Sequence, residues 1–320
     1  MNKLLFKNYL VTGGCGFIGS HLIRELAARG AHRIIAVDSL EYGSESNLEP
    51  ISPQVDIVRF RLGTDPQSDL EEVLKETECL FHLGAEKHNQ CIDNPIKLID
   101  ANIRGTYELF SAAASSGVKK IVFASSLYAY GRMSGVPFFE EESPSPHTIY
   151  GMSKLAGENI AKYFSVTHSI PTECLRFLFV YGPKQYASLG YKSVILKNFE
   201  RLIRGESPII FGDGNQTLDY IYVSDAVEAA IKSSQTNDEY DVTNVASGSG
   251  ISINQLTKLM QNIAGTKFNP VYMEPDATHG SSRIGEVSKF QRRFSPGKMI
   301  GLEEGLEKTF LWVKKNTNDF

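Results

Sequence analysis

Tyr150 and Lys154 stand four residues apart in Tyr150-Gly151-Met152-Ser153-Lys154. On a helix, positions i and i+4 share one face, so the phenol and the ammonium can reach the same point in space. A neighbouring ammonium favours the phenolate and is expected to lower a phenol pKa that is ordinarily about 10. The pair is a candidate base near neutral pH, placed to take a proton from a hydroxyl. Tyr-x-x-x-Lys also occurs on many helices as a plain surface pair, so its weight rests on what precedes it in the chain.

What precedes it is a glycine turn in a strand-turn-helix setting. Tyr9-Leu10-Val11 reads as a short apolar strand ending in Thr12-Gly13-Gly14-Cys15-Gly16-Phe17-Ile18-Gly19. A helix follows, with Leu22, Ile23, Leu26 and Ala27 at helical spacing. Gly14-x-Gly16-x-x-Gly19 has the dinucleotide-binding pattern: glycines for a sharp turn, close approach of backbone to a pyrophosphate, and tight helix packing. The helix N-terminus then offers unpaired N–H groups to phosphate. Asp38 ends the second strand, 19 positions past Gly19, where a carboxylate accepts from a ribose diol and repels a 2′-phosphate. NAD is favoured over NADP on that ground; the plainer reading is that Asp38 only caps a loop.

Further strands are expected at Arg33–Val37, Val55–Phe60, Cys79–Leu83 and Lys120–Ala124, with helices at Leu70–Lys75 and Ala101–Ser115. Strands alternating with helices imply a Rossmann-type, doubly wound parallel α/β sheet. Pro-rich Glu142–Pro146 leads into the Tyr150 helix, and Thr172–Val180 reads as one more strand. Helices near Ser193–Arg204, Asp225–Ser233 and Ile253–Ala264 are expected to form a smaller, interleaved α/β substrate-binding domain over the sheet's carboxyl edge. The division is residues 1–180 for the cofactor domain and 181–320 for the smaller one, with a strand near 242–246 returning to the main sheet.

The 320 residues, 42% hydrophobic and 22% charged with a net charge of −4, fit a soluble globular protein of about two domains. The charge gives no footprint for nucleic acid, and no apolar stretch is long enough to span a membrane. Cys15, Cys79, Cys91 and Cys174 lack metal-ligand or disulfide spacing, which suits a reduced, cytoplasmic setting. The apolar run before Gly13 reads as a strand and not as a signal peptide. Repeats and low-complexity tracts are absent.

Together these residues resemble the extended short-chain dehydrogenase/reductase family, within it the nucleotide-sugar epimerases and dehydratases. The resemblance covers nearly the whole chain. Besides the glycine turn it includes Phe81-His82-Leu83-Gly84-Ala85, Asn102-Ile103-Arg104-Gly105-Thr106 and Ala124-Ser125-Ser126-Leu127-Tyr128-Ala129-Tyr130-Gly131. Val180-Tyr181-Gly182-Pro183, Phe211-Gly212-Asp213-Gly214 and Leu302-Glu303-Glu304-Gly305-Leu306 complete it. The resemblance implies that Ser126 bonds the reacting substrate oxygen, that Tyr150 is the acid/base, and that Lys154 holds the nicotinamide ribose and the phenolate. It implies NAD contacts from Gly13, Gly16, Phe17, Ile18, Gly19 and Asp38, and from Leu62, Leu83, Gly84, Ala85, Lys87 and Asn102, with Tyr150 and Lys154. A homodimer through the Asn102 and Tyr150 helices is expected on the same basis.

The family's 4,6-dehydratases carry Asp-Glu after the catalytic serine or threonine, and its decarboxylases a glutamate at the second position. Here Leu127 and Tyr128 stand there, so the resemblance implies oxidation at a sugar carbon followed by hydride return to the opposite face: epimerisation, usually at C4. Three departures bear on the substrate. Phe179 replaces the asparagine of the family's Arg-Tyr-Phe-Asn-Val-Tyr-Gly-Pro, Leu218 replaces a phosphate-pairing arginine, and Pro275-Asp276-Ala277 occupies the place of a second. Arg283 and Lys192 are candidates to compensate. Leu62, where an aspartate usually bonds adenine, leaves only backbone to read the base. The alternatives are an oxidoreductase or epimerase on a sugar or polyol without a nucleotide diphosphate, and a non-catalytic NAD-binding protein.

Overall fold

Tyr9 and Val11 join one apolar core and Leu10, between them, joins another. That alternation marks the strand Asn8–Thr12 (β1) as buried on both faces. In the computed structural model, which describes residues 3–51, 55–87, 93–131, 135–185, 192–275 and 281–316, β1 lies inside a seven-stranded parallel sheet. The other strands are Arg33–Asp38 (β2), Val55–Arg59 (β3), Cys79–His82 (β4), Lys120–Ser126 (β5), Thr172–Phe177 (β6) and Tyr240–Val245 (β10). Their order is β10-β6-β5-β4-β1-β2-β3, every neighbouring pair parallel. β4, β5 and β6 are buried at every position, polar residues such as Lys120, Glu173 and Arg176 included.

Phe17–Ala28 (α1) and Val223–Ser233 (α7) cover one face, contributing Leu22, Ile23 and Leu26 with Val227, Ala230 and Ile231. Gln67–Leu74 (α2), Gly105–Ser115 (α4) and Ile149–His168 (α5) cover the other, with Leu70, Leu74, Leu109, Phe110, Ala161 and Phe164. The chain order reverses between β1 and β4. Such a switch point opens a crevice at the carboxyl ends of the strands.

Four expectations are corrected. The helix begins not at Ala101 but at Pro95: Asn94 caps it by accepting from Lys97 N–H, Pro95–Ile99 (α3) forms its first turn, and a π turn at Asp100–Arg104 leads into α4. The expected strand Thr172–Val180 is two. It breaks at Leu178, whose N–H still bonds Val245 O while Val180 N–H turns back to Leu178 O. Phe179–Tyr181 (β7) then pairs with Thr217–Tyr222 (β9) in a second sheet completed by Gly250–Ser252 (β11). The helix near Asp225–Ser233 belongs to the main sheet's cover and not to the smaller layer, because Arg29 of α1 ion-pairs Glu228 of α7. Finally Ile209–Phe211 (β8), Val271–Met273 (β12), Ser288–Phe294 (α9) and Leu302–Asn316 (α10) add elements beyond those expected.

The smaller layer consists of β7, β9 and β11 with Val194–Ile203 (α6), Ile253–Ala264 (α8) and α10, joined by Phe199 and Phe310 at 5.2 Å. Asp219 anchors it. This fully buried carboxylate accepts from Ser247 N–H and O–H, Gly248 N–H and Gly285 N–H, tying β9 to the loop after β10 and to the segment before α9. β10 returns to the main sheet as expected. Cys91, Asp276 and Ala277 lie outside the described residues. Among the described residues no helix is long and apolar enough to cross a membrane.

Candidate active site

At Gly13 the chain turns with φ +66°, a conformation L side chains rarely adopt, and a Cβ there would lie 2.9 Å from the Gly84 backbone. A Cβ on Gly19 would sit 2.1 Å from Gly13 O, so the third glycine is what lets α1 pack onto the turn. α1 starts at Phe17 without a side-chain cap, leaving its first-turn N–H groups facing the cleft. Asp38, at the end of β2, accepts from Cys15 N–H at 3.0 Å and Leu40 N–H at 2.9 Å. Burial raises its pKa while those two bonds oppose the rise. It therefore caps the loop and also lines the cleft.

The strand after β4 continues the same wall. Leu83 N–H bonds Thr12 O, and Gly84 N–H bonds Thr12 Oγ1 at 3.0 Å. Leu62, Leu83, Gly84, Ala85 and Lys87 line the cleft with Gly13, Gly16, Phe17, Ile18 and Gly19. Asn102 does not. It is 3% exposed and braces the loop from behind, accepting from Glu86 N–H and donating to Glu86 O and Ser153 Oγ.

The catalytic candidates meet where β5 ends against the start of α5. Ser126 closes β5, and its Oγ accepts from Tyr128 N–H at the head of a short 3-10 turn. Thr148 caps α5 through Gly151 N–H and so fixes Tyr150 in its first turn. The Tyr150 and Ser126 hydroxyls are hydrogen-bonded. Lys154, one turn on, donates to Ala124 O at 2.8 Å, with its ammonium 5.7 Å from the Tyr150 ring centre. A Cβ on Gly151 would lie 2.3 Å from Tyr128 O, which shows how closely α5 presses on the turn after Ser126.

The electrostatics differ from the sequence expectation. Burial pushes Tyr150 up to about 12, against the pull of the Ser126 hydrogen bond, and the lysine does not reverse this. Burial likewise brings Lys154 down to about 8, opposed by Glu158. Desolvation outweighs the pairing because both groups are buried, with one Lys154 N–H donating to Ala124 O and the ammonium 5.7 Å from the phenol ring centre.

All of this borders one cleft of about 670 Å³ that runs from the glycine turn, past Asp38, to Ser126, Tyr150 and Lys154. A glycine cradle closed to any Cβ, an open helix N-terminus and a carboxylate at the end of β2 are what a dinucleotide requires. The sequence profile of the NAD dependent epimerase/dehydratase family matches residues 9–246. The chain belongs to that family.

Members resemble it from end to end. A putative UDP-glucose 4-epimerase of Methanocaldococcus jannaschii is 31% identical over 317 residues, 96% of this chain and 98% of that one. The crystal structure of UDP-glucose 4-epimerase with UDP-glucose from Thermotoga maritima is 32% identical, with a TM-score of 0.90 over 97% of this chain and 99% of that one. MoeE5, solved with UDP-glucose and NAD, is 30% identical, with a TM-score of 0.84 over 97% and 99%. The chain is thus an enzyme of the extended short-chain dehydrogenase/reductase type, and NAD is its cofactor.

This epimerase/dehydratase also presents Leu127, Tyr128, Phe179, Val194, Leu218 and Tyr220 to the cleft. The two departures Phe179 and Leu218 therefore fall on its wall. Lys192 is held by both oxygens of Glu200, at 2.8 and 3.0 Å. Arg283 lies with its guanidinium 5.2 Å above the Tyr128 ring, whose edge meets Tyr150. Sequence reasoning missed a buried group behind the site. Glu158 receives a bidentate pair from Arg176 at 2.9 and 2.8 Å and a bond from Ser125 at 2.5 Å. Its signal was present: an acid one turn after Lys154 on an inward face, and an arginine inside the apolar run Cys174-Leu175-Arg176-Phe177.

Proposed function

We propose that this enzyme epimerises a nucleotide-linked sugar at a carbinol carbon, with Tyr150 as the acid/base. The observation that carries the reading is the hydrogen-bonded Ser126 and Tyr150 pair beside Lys154, with no carboxylate at Leu127 or Tyr128, the two positions after Ser126. Among the described residues, the acids lining the cleft are Asp38, Glu41, Glu86 and Asp100. They come from the end of β2 and the loop after it, from the loop after β4 and from the helix that starts at Pro95, not from the turn after Ser126. Elimination of water or loss of carbon dioxide from the keto sugar calls for a proton donor or acceptor there, and Leu127 and Tyr128 supply none.

NAD, when bound, supplies the hydride acceptor and donor. Tyr150 takes the proton of the sugar hydroxyl and later returns it, and Ser126 donates to the oxygen on which charge develops. Lys154 contributes the positive charge that stabilises the phenolate. Proton and hydride both leave and both return, so the reaction is redox-neutral overall. Asp38 supports NAD over NADP. The similarity to enzymes solved with UDP-sugars supports a nucleotide diphosphate on the substrate.

A second reading, a sugar or polyol without that group, is favoured by Phe179 and Leu218 on the cleft wall and by Lys192 being committed to Glu200. The deciding experiment releases and identifies the bound cofactor, screens nucleotide sugars for isomerisation without added NAD, and titrates UDP, GDP and dTDP. Turnover of one nucleotide sugar is expected; binding of none of the three nucleotides would transfer the proposal to the second reading.

The same proposal includes a homodimer. Ile149, Met152, Tyr163 and Val166 are exposed on one side of α5, away from Tyr150 and Lys154, and Ile99 and Tyr107 are exposed on the neighbouring helix. Buried unpaired Cys15, Cys79 and Cys174 support a cytoplasmic setting.

A further inference from the structure

A line of hydrogen bonds runs beneath the cofactor cleft. It starts at Gly84 N–H, which donates to Thr12 Oγ1 at 3.0 Å, and continues from Thr12 Oγ1 to His82 Nδ1 at 2.7 Å. His82 Nε2 meets Thr106 Oγ1 at 3.0 Å, and Thr106 donates to Asn102 O at 2.7 Å. Asn102 Nδ2 donates to Ser153 Oγ at 3.1 Å, and Ser153 donates to Tyr150 O at 2.8 Å. The line therefore joins the glycine turn to the backbone of the acid/base through β4, the π turn and α5.

The directions of these bonds can be worked out. A carbonyl only accepts, so the single hydroxyl proton of Thr106 is committed to Asn102 O. Thr106 Oγ1 must then accept at its other contact, which places a proton on His82 Nε2. A neutral imidazole has one N–H, so Nδ1 is bare and accepts the hydroxyl proton of Thr12. Thr12 Oγ1 is left to accept from Gly84 N–H, as observed. Every group is satisfied with one proton on the ring. His82 is 1% exposed and lies between Phe110 and Phe123, at 5.6 and 5.5 Å. The charged group acting on it is Lys154; with burial as the larger cause, its pKa falls to about 3.

We propose that His82 is a positioning residue: a neutral, Nε2-protonated imidazole that holds the cofactor turn and the Tyr150 helix in one register. It does not line the cleft. A Cβ added at Gly13 would lie 2.9 Å from the Gly84 backbone, so the two segments pack closely and a small displacement of Thr12 shifts the cofactor's seat relative to Tyr150. A misplacement of about 1 Å is enough to slow a hydride and proton transfer on the order of a hundredfold.

The kinetic part rests on the proposed epimerase reading; the spectroscopic and cofactor-binding parts do not. Histidine-selective nitrogen-15 labelling of the whole protein, with His82 assigned through its contacts to Phe110 and Phe123, should show the Nε2–H tautomer. That signature should stay unchanged from about pH 5.5 to 8, where a free imidazole titrates. An imidazolium or an Nδ1–H signature overturns the proposal, and this measurement needs no variant to fold.

His82→Phe keeps the ring and breaks both ends of the line. It is expected to weaken NAD binding and lower kcat, each on the order of tenfold. His82→Asn restores an acceptor for Thr12 without reaching Thr106, so it should recover NAD affinity and leave kcat low with sugar KM nearly unchanged. Folded variants with lower stability but wild-type kcat and NAD affinity would show His82 to be merely structural. If the wild-type protein turns over no sugar, the epimerase reading fails while the tautomer and NAD titrations still decide the role of His82.

Discussion

Lys154 is 4% exposed, and its ammonium titrates near 8 instead of 10.5 because burial disfavours the charge more than Glu158 restores it. In the unfolded chain the amine keeps its proton up to about 10.5. Between about pH 8 and 10.5 the unfolded chain therefore binds the extra proton, and stability rises with pH across that window. The contribution is complete above the unfolded value and lost as pH falls through the folded one. Against Lys154→Met, the wild type is expected to gain up to about 3 kcal/mol on going from pH 8 to 10.5, read from urea midpoints. A pH-independent difference would show that the ammonium is not desolvated. For Tyr150→Phe, turnover should fall on the order of 10²–10⁴-fold with NAD still bound, since the ring keeps its place and only the proton carrier is gone. Retention of turnover to within about twofold would remove Tyr150 from the mechanism.

The start of α5 does the alignment at the scale of elements. Thr148 caps it, Gly151 lets it lie against Tyr128 O, and Gly157 lets it lie against the Phe123 ring, where a Cβ would come within 2.4 Å. Gly151→Ala forces the helix away from the turn after Ser126 and separates the two hydroxyls. We expect kcat to drop on the order of a hundredfold with NAD affinity unchanged, measured by turnover and cofactor titration. Equal loss of both would mean the whole helix had moved. The existence of α5 was legible in the sequence, and so were the glycine turn and Asp38, because each depends on local backbone rules. The break at Leu178 was not. Thr172 to Val180 is uniformly strand-like, and the switch to a second sheet follows from Leu178 pairing with Val245, nearly seventy residues away. α7 was assigned to the wrong layer for a similar reason: an amphipathic pattern says that a face is buried, not against what.

For the whole molecule, the proposed homodimer would use the exposed apolar side of α5 with Tyr107 of α4. Met152→Glu with Val166→Glu places two carboxylates on that surface, away from the catalytic face of the same helix. Sedimentation is expected to show a homodimer in the wild type and a monomer in the double variant, with NAD binding intact in both. A wild-type monomer would refute the dimer without touching the chemistry.

The sequence by itself determined the parallel α/β frame and the cofactor and supplied the candidate catalytic trio, since glycine spacing, strand-helix alternation and Ser126, Tyr150 and Lys154 are encoded locally. Only the tertiary structure decided the charge state around them. Whether a lysine lowers a neighbouring phenol depends on how much water both have lost, and here burial wins over pairing. Tertiary structure likewise set Asn102 behind the cleft and His82 beneath it, because a polar residue's partners in a packed interior are chosen by which strands and helices meet there.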